Sequence, residues 1–299
     1  MHSPKVIVAL IVAAALGFGA ARAQSVLGAQ GEESEPDRRQ QWLVPSPDPA
    51  WPAHALLFRP PGAGPFPLAL IAHATTQNVL RRAQMPQPEY RALAGFLVAR
   101  GLAVLVPERL GHGATGGTYL EDQGGCDDAD YSRSARATAG QIRRALDYLR
   151  GQPFILKDHT VIVGHSAGGW GALALAAEKP EGVSAIIALA PGRGGRANDS
   201  PNQVCAPHTL LASAAEFGRH AKVPVTWLVA ANDSYFPPEL SRRLADAFRK
   251  AGGRVDFHVL PAYGGEGHWL AESENGVKLA AAELDRVLSA PRPAATRKR

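Results

Sequence analysis

Short apolar runs recur along this chain at His54–Arg59, Pro67–His73, Leu102–Pro107, His159–Gly164, Ser184–Pro191, Val223–Ala230 and Arg254–Pro261. "LAVLVP", "IIALA" and "VPVTWLVA" are nearly continuous in apolar residues. Strands buried on both faces have that pattern, because neither side of the sheet meets water. Between the runs, apolar residues return with helical spacing near Tyr90–Arg100, Ala135–Arg150, Gly169–Glu178, Pro238–Ala251 and Gly276–Ser289. Strands alternating with such helices predict an α/β domain, a mostly parallel central sheet flanked by helices. Gly101 and Gly252 each end a helical pattern and lead toward a strand, where a C-terminal glycine cap belongs.

Two long stretches break the alternation, Glu108–Ser134 and Gly192–Lys222. Each follows a predicted strand, so both should lie over the carboxyl edge of the sheet, where open α/β sheets bind ligands. Each also holds one of the two cysteines, Cys126 and Cys205. The first 23 residues carry Lys5, an apolar run from Val6 and a closing Ala21-Arg22-Ala23. That is the layout of a secretory signal peptide cut before Gln24, and it implies a periplasmic or secreted protein. The run is shorter than the roughly 20 apolar residues of a membrane span. In an exported chain, two cysteines in predicted loops are expected to pair, with free thiols or an intermolecular bridge as the alternatives.

Residues 24–50 are polar and proline-rich and read as a flexible leader, residues 51–290 as one domain, and 291–299 as a basic solvated tail. The formal charge of +5 includes that tail, and no basic stripe interleaved with aromatics appears, so nucleic acid is not an expected partner. Stable membrane insertion is not expected either. The acidic "CDDAD", Cys126 to Asp130, lacks the glycine and distal glutamate of a calcium loop and reads as a solvated turn.

The chemistry centres on Gly164-His165-Ser166-Ala167-Gly168, a G-x-S-x-G sequence. Five residues alone are a weak signal, but here a buried-strand pattern ends at the motif and a helical pattern begins just after it. A serine on so tight a bend projects its hydroxyl into a cleft, and the next amide, that of Ala167, faces a developing oxyanion. A glycine-rich phosphate loop is the alternative, and it would require a lysine that is absent. A serine nucleophile needs a base, and the base an orienting acid. His268, in the glycine-rich "YGGEGHWL" after the last predicted strand, suits the base. Asp233, at the carboxyl end of "VTWLVA", suits the acid, although it could instead cap the helix at Pro237-Pro238. Asp246, Asp256 and Glu266 are its competitors. The second oxyanion donor is expected from the backbone of Ala74 or Thr75, in the loop after "PLALIA". His73, His165, Arg109 and His112 are candidate substrate-lining residues; His73 could equally be a packed strand-end histidine, a tight glycine-rich turn gives Arg109 and His112 a structural alternative, and the place of His165 beside Ser166 favours oriented packing over chemistry.

"GHSAGGW", "NDSYFPP", "PERLGHGATGG" and "EGHWL" together resemble the α/β-hydrolase superfamily, more narrowly exported esterases grouped with dienelactone-hydrolase-like proteins, over about residues 52–290. The resemblance implies an α/β-hydrolase fold with loop insertions capping the site. It also implies a small-molecule acyl substrate, an acyl-enzyme on Ser166 and no cofactor or metal. Dienelactone hydrolases proper carry a cysteine at the nucleophile position, so Ser166 turns the expectation toward carboxylic esters, with lactones and thioesters as neighbours. A peptidase or amidase on the same scaffold is the competing reading, though no dedicated acidic pair or accessory domain is visible to hold a peptide amine. A non-catalytic binding protein is a third, which the complete Ser, Asp, His order argues against.

Overall fold

All seven apolar runs become strands of a single sheet in the computed structural model, which describes residues 26–289. Residues 1–23, read above as a signal peptide, and residues 291–299, read as a basic tail, lie outside the described residues. The chain begins with β1 (Gly28–Ala29), β2 (Gln40–Val44), β3 (Ala53–Phe58) and β4 (Leu68–Ala72). Two helices, α1 (Val79–Ala83) and α2 (Arg91–Val98), precede β5 (Ala103–Pro107). Helices then alternate with strands: α3 (Tyr131–Arg150), β6 (Thr160–His165), α4 (Ala167–Ala177), β7 (Val183–Leu189) and α5 (Pro207–His220). β8 (Val225–Ala230), α6 (Pro238–Lys250), β9 (Val255–Leu260) and α7 (Glu274–Leu288) complete the domain.

The sheet order is β1-β2-β3-β5-β4-β6-β7-β8-β9. From β5 to β9 every pairing is parallel, and the first three strands attach antiparallel. Each face is covered, which is why the central strands have few polar positions. Leu68, Leu70 and Ala72 of β4 join a core built with α3, α4, α5 and α6, whereas Ala69 and Ile71 join one built with α2 and α7.

Chain direction across the sheet reverses at β4, since β5 lies on one side of it and β6 on the other. Crossover connections diverge at such a switch point and leave a crevice beyond the strand ends. Ala72 pairs with Gly164 there, so the segment after β4 and the one after β6 leave the sheet side by side. The fold thereby brings His73–Gln77 next to Ser166, although they are some ninety positions apart in sequence.

Two expectations need correction. The segment read as a flexible leader contains β2, which pairs with β3 in register from Gln40↔Leu57 to Val44↔Ala53 and buries Trp42 and Val44. Five residues of alternation amid polar and proline-rich neighbours are too short to register as periodicity, and the pairing partner decides the conformation. The stretch Gly192–Lys222, read as irregular, contains α5, whose Leu210, Ala214 and Phe217 face the core at helical spacing.

The insertion Glu108–Ser134 is irregular up to Asp130, whose side chain caps α3 by accepting from the Arg133 amide. Cys126 and Cys205 are joined by a disulfide, Cα atoms 4.7 Å apart, that ties this insertion to the start of α5. Among the described residues no helix is long and apolar enough to cross a membrane.

A cross-link closing 79 residues should stabilise the fold by about 4–5 kcal/mol in the chain-entropy account. Replacing both cysteines by serine is expected to lower the melting temperature by roughly 10 °C or more, as read by differential scanning calorimetry. An unchanged melting temperature would contradict the link's structural weight.

Candidate active site

Ser166 occupies the single residue between β6 and α4, with φ 54° and ψ −119°. That conformation is unfavourable for any residue with a Cβ, by about 1–3 kcal/mol, and persists only when the surroundings enforce it. Here they do. A Cβ on Gly164 would collide with the backbone of Gly169, and one on Gly168 with the Ala72 and His73 carbonyls, so strand and helix meet at backbone distance. Helix α4 is buried from Ala167 through Ala176, and Trp170 anchors it edge-on against Phe217 and Trp227. The Ser166 amide donates to Leu189 O at 2.9 Å, holding the bend against β7. Serine at a helix N-cap commonly accepts from the first turn, but the Ser166 side chain makes no such bond.

His268 and Asp233 come together across the ends of β8 and β9. His268 Nδ1 lies 3.1 Å from Asp233 Oδ2, and both side chains are buried. Asp233 Oδ1 accepts from the Tyr235 and Phe236 amides at 2.8 and 2.9 Å. Those bonds leave Oδ2 aimed at the imidazole and fix Nδ1 as its protonated nitrogen. The alternative placing of Asp233, as cap of α6, is not realised, because Pro237 holds that position without a side-chain cap. Burial lowers the His268 pKa, while the bond to Asp233 opposes it, and the net shift is downward. His268 packs against the elbow through His165, ring centroids 5.1 Å apart, and Tyr235 stacks on its imidazole at 4.2 Å. No hydrogen bond joins the Ser166 hydroxyl to the His268 ring; such bonds are often long without substrate and tighten in its complex.

Among the competing acids, Asp246 pairs with Arg249 and Asp256 with His258, both away from His268. Glu266 contacts the His268 loop instead. Its Oε1 accepts from the Ser234 amide and from the His268 amide, each at 3.0 Å, and thereby docks the histidine loop onto the Asp233 turn. Asn232 completes that docking by accepting from the Tyr263 amide and donating to the Tyr263 and Gly264 carbonyls.

The four candidate lining residues, His73, Arg109, His112 and His165, are all buried, and their hydrogen bonds run to the loop after β4 and to the His268 turn. Three of them fix the loop after β4. Arg109 donates to His73 O at 2.8 Å, and its amide donates to His73 Nε2 at 3.1 Å. His73 Nδ1 is therefore the protonated nitrogen, and it donates to Ala74 O at 2.5 Å. His112 Nδ1 donates to Arg109 O at 3.0 Å, which leaves Nε2 to accept from the Thr75 hydroxyl at 2.5 Å. His165 belongs to the His268 side, with Nε2 2.8 Å from His268 O. The Ala74 amide is already committed to Tyr90 Oη at 3.1 Å, whereas the Thr75 and Ala167 amides have no acceptor among the described residues. Tyr90 has no sequence signal for this position, since it follows "MPQPE" at a helix start and its partners are remote in the chain.

Behind Arg109 lies a buried charge cluster. Glu121 is fully buried between Arg109 and Arg193, and Gln141 Nε2 donates to it at 2.9 Å. Burial alone would raise its pKa, but the two guanidinium groups hold it well below the usual carboxylate range. The cluster joins the Glu108–Ser134 insertion to the segment after β7 beside the elbow, where the Gly192 amide donates to Ser166 O. Among the described residues no group of three or more His, Cys, Asp or Glu is placed to hold a metal ion.

The model of the dienelactone hydrolase family matches residues 55–289, and the chain belongs to that family. TT1662 from Thermus thermophilus is similar in structure at TM-score 0.57 and 18% identity, covering 86% of this chain and 100% of its own. The esterase Pf2001 of Pyrococcus furiosus matches at TM-score 0.57 and 13% identity, covering 88% and 97%. Est1E of Butyrivibrio proteoclasticus, solved with ferulic acid bound, matches at 0.52 and 18%, covering 79% and 96%. At these identities the likeness is one of fold, and that fold is the α/β-hydrolase fold. No curated protein sequence matches the chain.

The buried neutral histidines make stability pH-dependent. Burial holds His112 near 4 and lowers His73 well below its ordinary value, whereas both titrate near 6.5 in an unfolded chain. Between about pH 6.5 and 4 the unfolded chain then binds more protons, so stability falls as pH is lowered through that window. Urea midpoints should decline over that range, and His112→Asn should flatten the decline. An equally steep decline in the variant would contradict the assignment.

Proposed function

We propose that this member of the dienelactone hydrolase family is a serine esterase acting on small carboxylic esters through an acyl-enzyme on Ser166. One observation carries the reading: a serine held in a strained strand-to-helix bend is followed in the fold by a buried Asp233–His268 pair, whose histidine bonds and packs against His165, the residue before the serine. The family supports hydrolase chemistry, and Ser166 in place of a cysteine favours esters over dienelactones.

In the proposed reaction Ser166 Oγ attacks the acyl carbonyl and passes its proton to His268 Nε2. Asp233 Oδ2 holds the imidazolium that forms, through the Nδ1 bond. The amides of Ala167 and Thr75 are the two donors left free for the oxyanion, so the Thr75 alternative is favoured over Ala74. His268 Nε2 returns the proton to the departing alkoxide. Water, deprotonated by the same nitrogen, then releases the acid from Ser166. The lowered pKa of His268 suits the role, because it keeps the imidazole neutral and able to accept near pH 7. The disulfide and the signal layout support an exported enzyme.

Ser166→Ala should reduce turnover of p-nitrophenyl acetate by about 10⁵-fold or more, with the melting temperature nearly unchanged. Mass spectrometry after a fluorophosphonate probe should place the adduct on Ser166. Retained turnover, or no adduct on folded protein, would sink the assignment. The acid limb of kcat/KM should have its midpoint below 6.5, since the free enzyme's base is the His268 imidazole. A midpoint above 6.5 would point to a different base.

A further inference from the structure

Three hydrogen bonds run unbroken from the loop carrying Thr75 to the turn carrying His268, and the reaction above uses none of them. The Ala74 amide donates to Tyr90 Oη at 3.1 Å, Tyr90 Oη lies 2.9 Å from His165 Nδ1, and His165 Nε2 lies 2.8 Å from His268 O. For a neutral His165 ring, the direction of the chain follows from one end. A carbonyl oxygen only accepts, so His165 Nε2 carries a proton. In the neutral imidazole Nδ1 must then accept, and the Tyr90 hydroxyl donates to it. The tyrosine oxygen is left to accept from Ala74. Burial raises the Tyr90 hydroxyl above its ordinary pKa, which keeps that donor in place. At the outer edge, the partly exposed Glu272 carboxylate lies 3.5 Å from His165 Nδ1.

Helix formation does not account for Tyr90's conformation. Its backbone is left-handed, φ 47° and ψ 39°, and its side chain makes no cap bond to α2. A bulky residue with positive φ is an outlier costing on the order of 1 kcal/mol or more, so tertiary contacts must hold it. Its polar contacts are the Ala74 amide, the His165 ring, which meets that of Tyr90 edge to face at 5.8 Å, and the Glu272 carboxylate.

We propose that Tyr90 and His165 are positioning residues that set the spacing between the oxyanion loop and the catalytic base. Neither touches substrate. Tyr90 keeps the Ala74 amide turned away, so that the next amide, Thr75, faces the oxyanion. His165 holds the His268 backbone at a fixed distance from the same point. The proposal rests on the serine-esterase reading of Ser166, Asp233 and His268.

Tyr90→Phe removes only the hydroxyl. Turnover of p-nitrophenyl acetate, expressed per fluorophosphonate-titrated site, should fall about tenfold in kcat, with KM within twofold. His165→Phe should lower kcat at least as much. The double variant should be no slower than His165→Phe alone, because a chain broken once is not broken again. Unchanged kcat per site in Tyr90→Phe would overturn the proposal, even if melting temperature or titratable fraction falls. Multiplicative losses in the double variant would overturn it as well. Ser166→Ala, measured alongside, separates the two readings. Turnover retained there defeats the esterase reading itself, whereas an inactive Ser166→Ala beside a wild-type-like Tyr90→Phe removes the positioning role alone.

Discussion

The structure depends on one constraint, the bend at Ser166, where β6 must become α4 within a single residue in an unfavourable conformation. Everything nearby is arranged to hold that bend. Gly164 and Gly168 admit backbone contact on both sides, and the apolar helix beyond is buried through Ala176. A helix buried all round cannot shift outward to relieve the turn without exposing its apolar surface. The strain is thus held by the core, which also explains why the site lies above the centre of the sheet rather than at an edge.

A second layer fixes what faces the serine. The loop after β4 is held by side chains at every step: Arg109 on the His73 carbonyl, the His73 ring on Ala74, Tyr90 on the Ala74 amide and His112 on the Thr75 hydroxyl. Electrostatic stabilisation of a developing oxyanion depends on donors that need not reorganise, and this loop has little freedom left. Arg109 is itself fixed by Glu121, which also binds Arg193. Buried ion pairs contribute little net stability once desolvation is counted, but losing one partner is severe because the remaining charge stays buried. The cluster and the disulfide both link the first insertion to the chain after β7.

Much of this was legible in the sequence, and the rest was not for definite reasons. The seven strands announced themselves as apolar runs, because a sheet covered on both faces leaves few polar positions. Ser166, Asp233 and His268 stood out through their order and their places at strand ends. Strand β2 did not, since its apolar residues are few and sit among polar ones, and α5 lies hidden inside a long stretch although Leu210, Ala214 and Phe217 keep helical spacing. The roles of Tyr90, His165, His73, His112 and Arg109 are properties of hydrogen bonds between segments far apart in the chain, and no local pattern encodes them. Glu266 was weighed only as a competing acid, yet its carboxylate ties the histidine loop to the turn bearing Asp233. Residue types suggested the chemistry, and only the juxtaposition separated the groups proposed to react from those that hold them.

The most direct test of this account is a crystal structure of the enzyme with a phosphonate bound to Ser166. The phosphonyl oxygen should lie about 2.7–3.1 Å from the amides of Ala167 and Thr75, the distance an oxyanion hole requires. The Ala74 amide should still donate to Tyr90. An oxygen held instead by Ala74, with Tyr90 displaced, would contradict the preorganised loop. An adduct on any residue other than Ser166 would contradict the account as a whole.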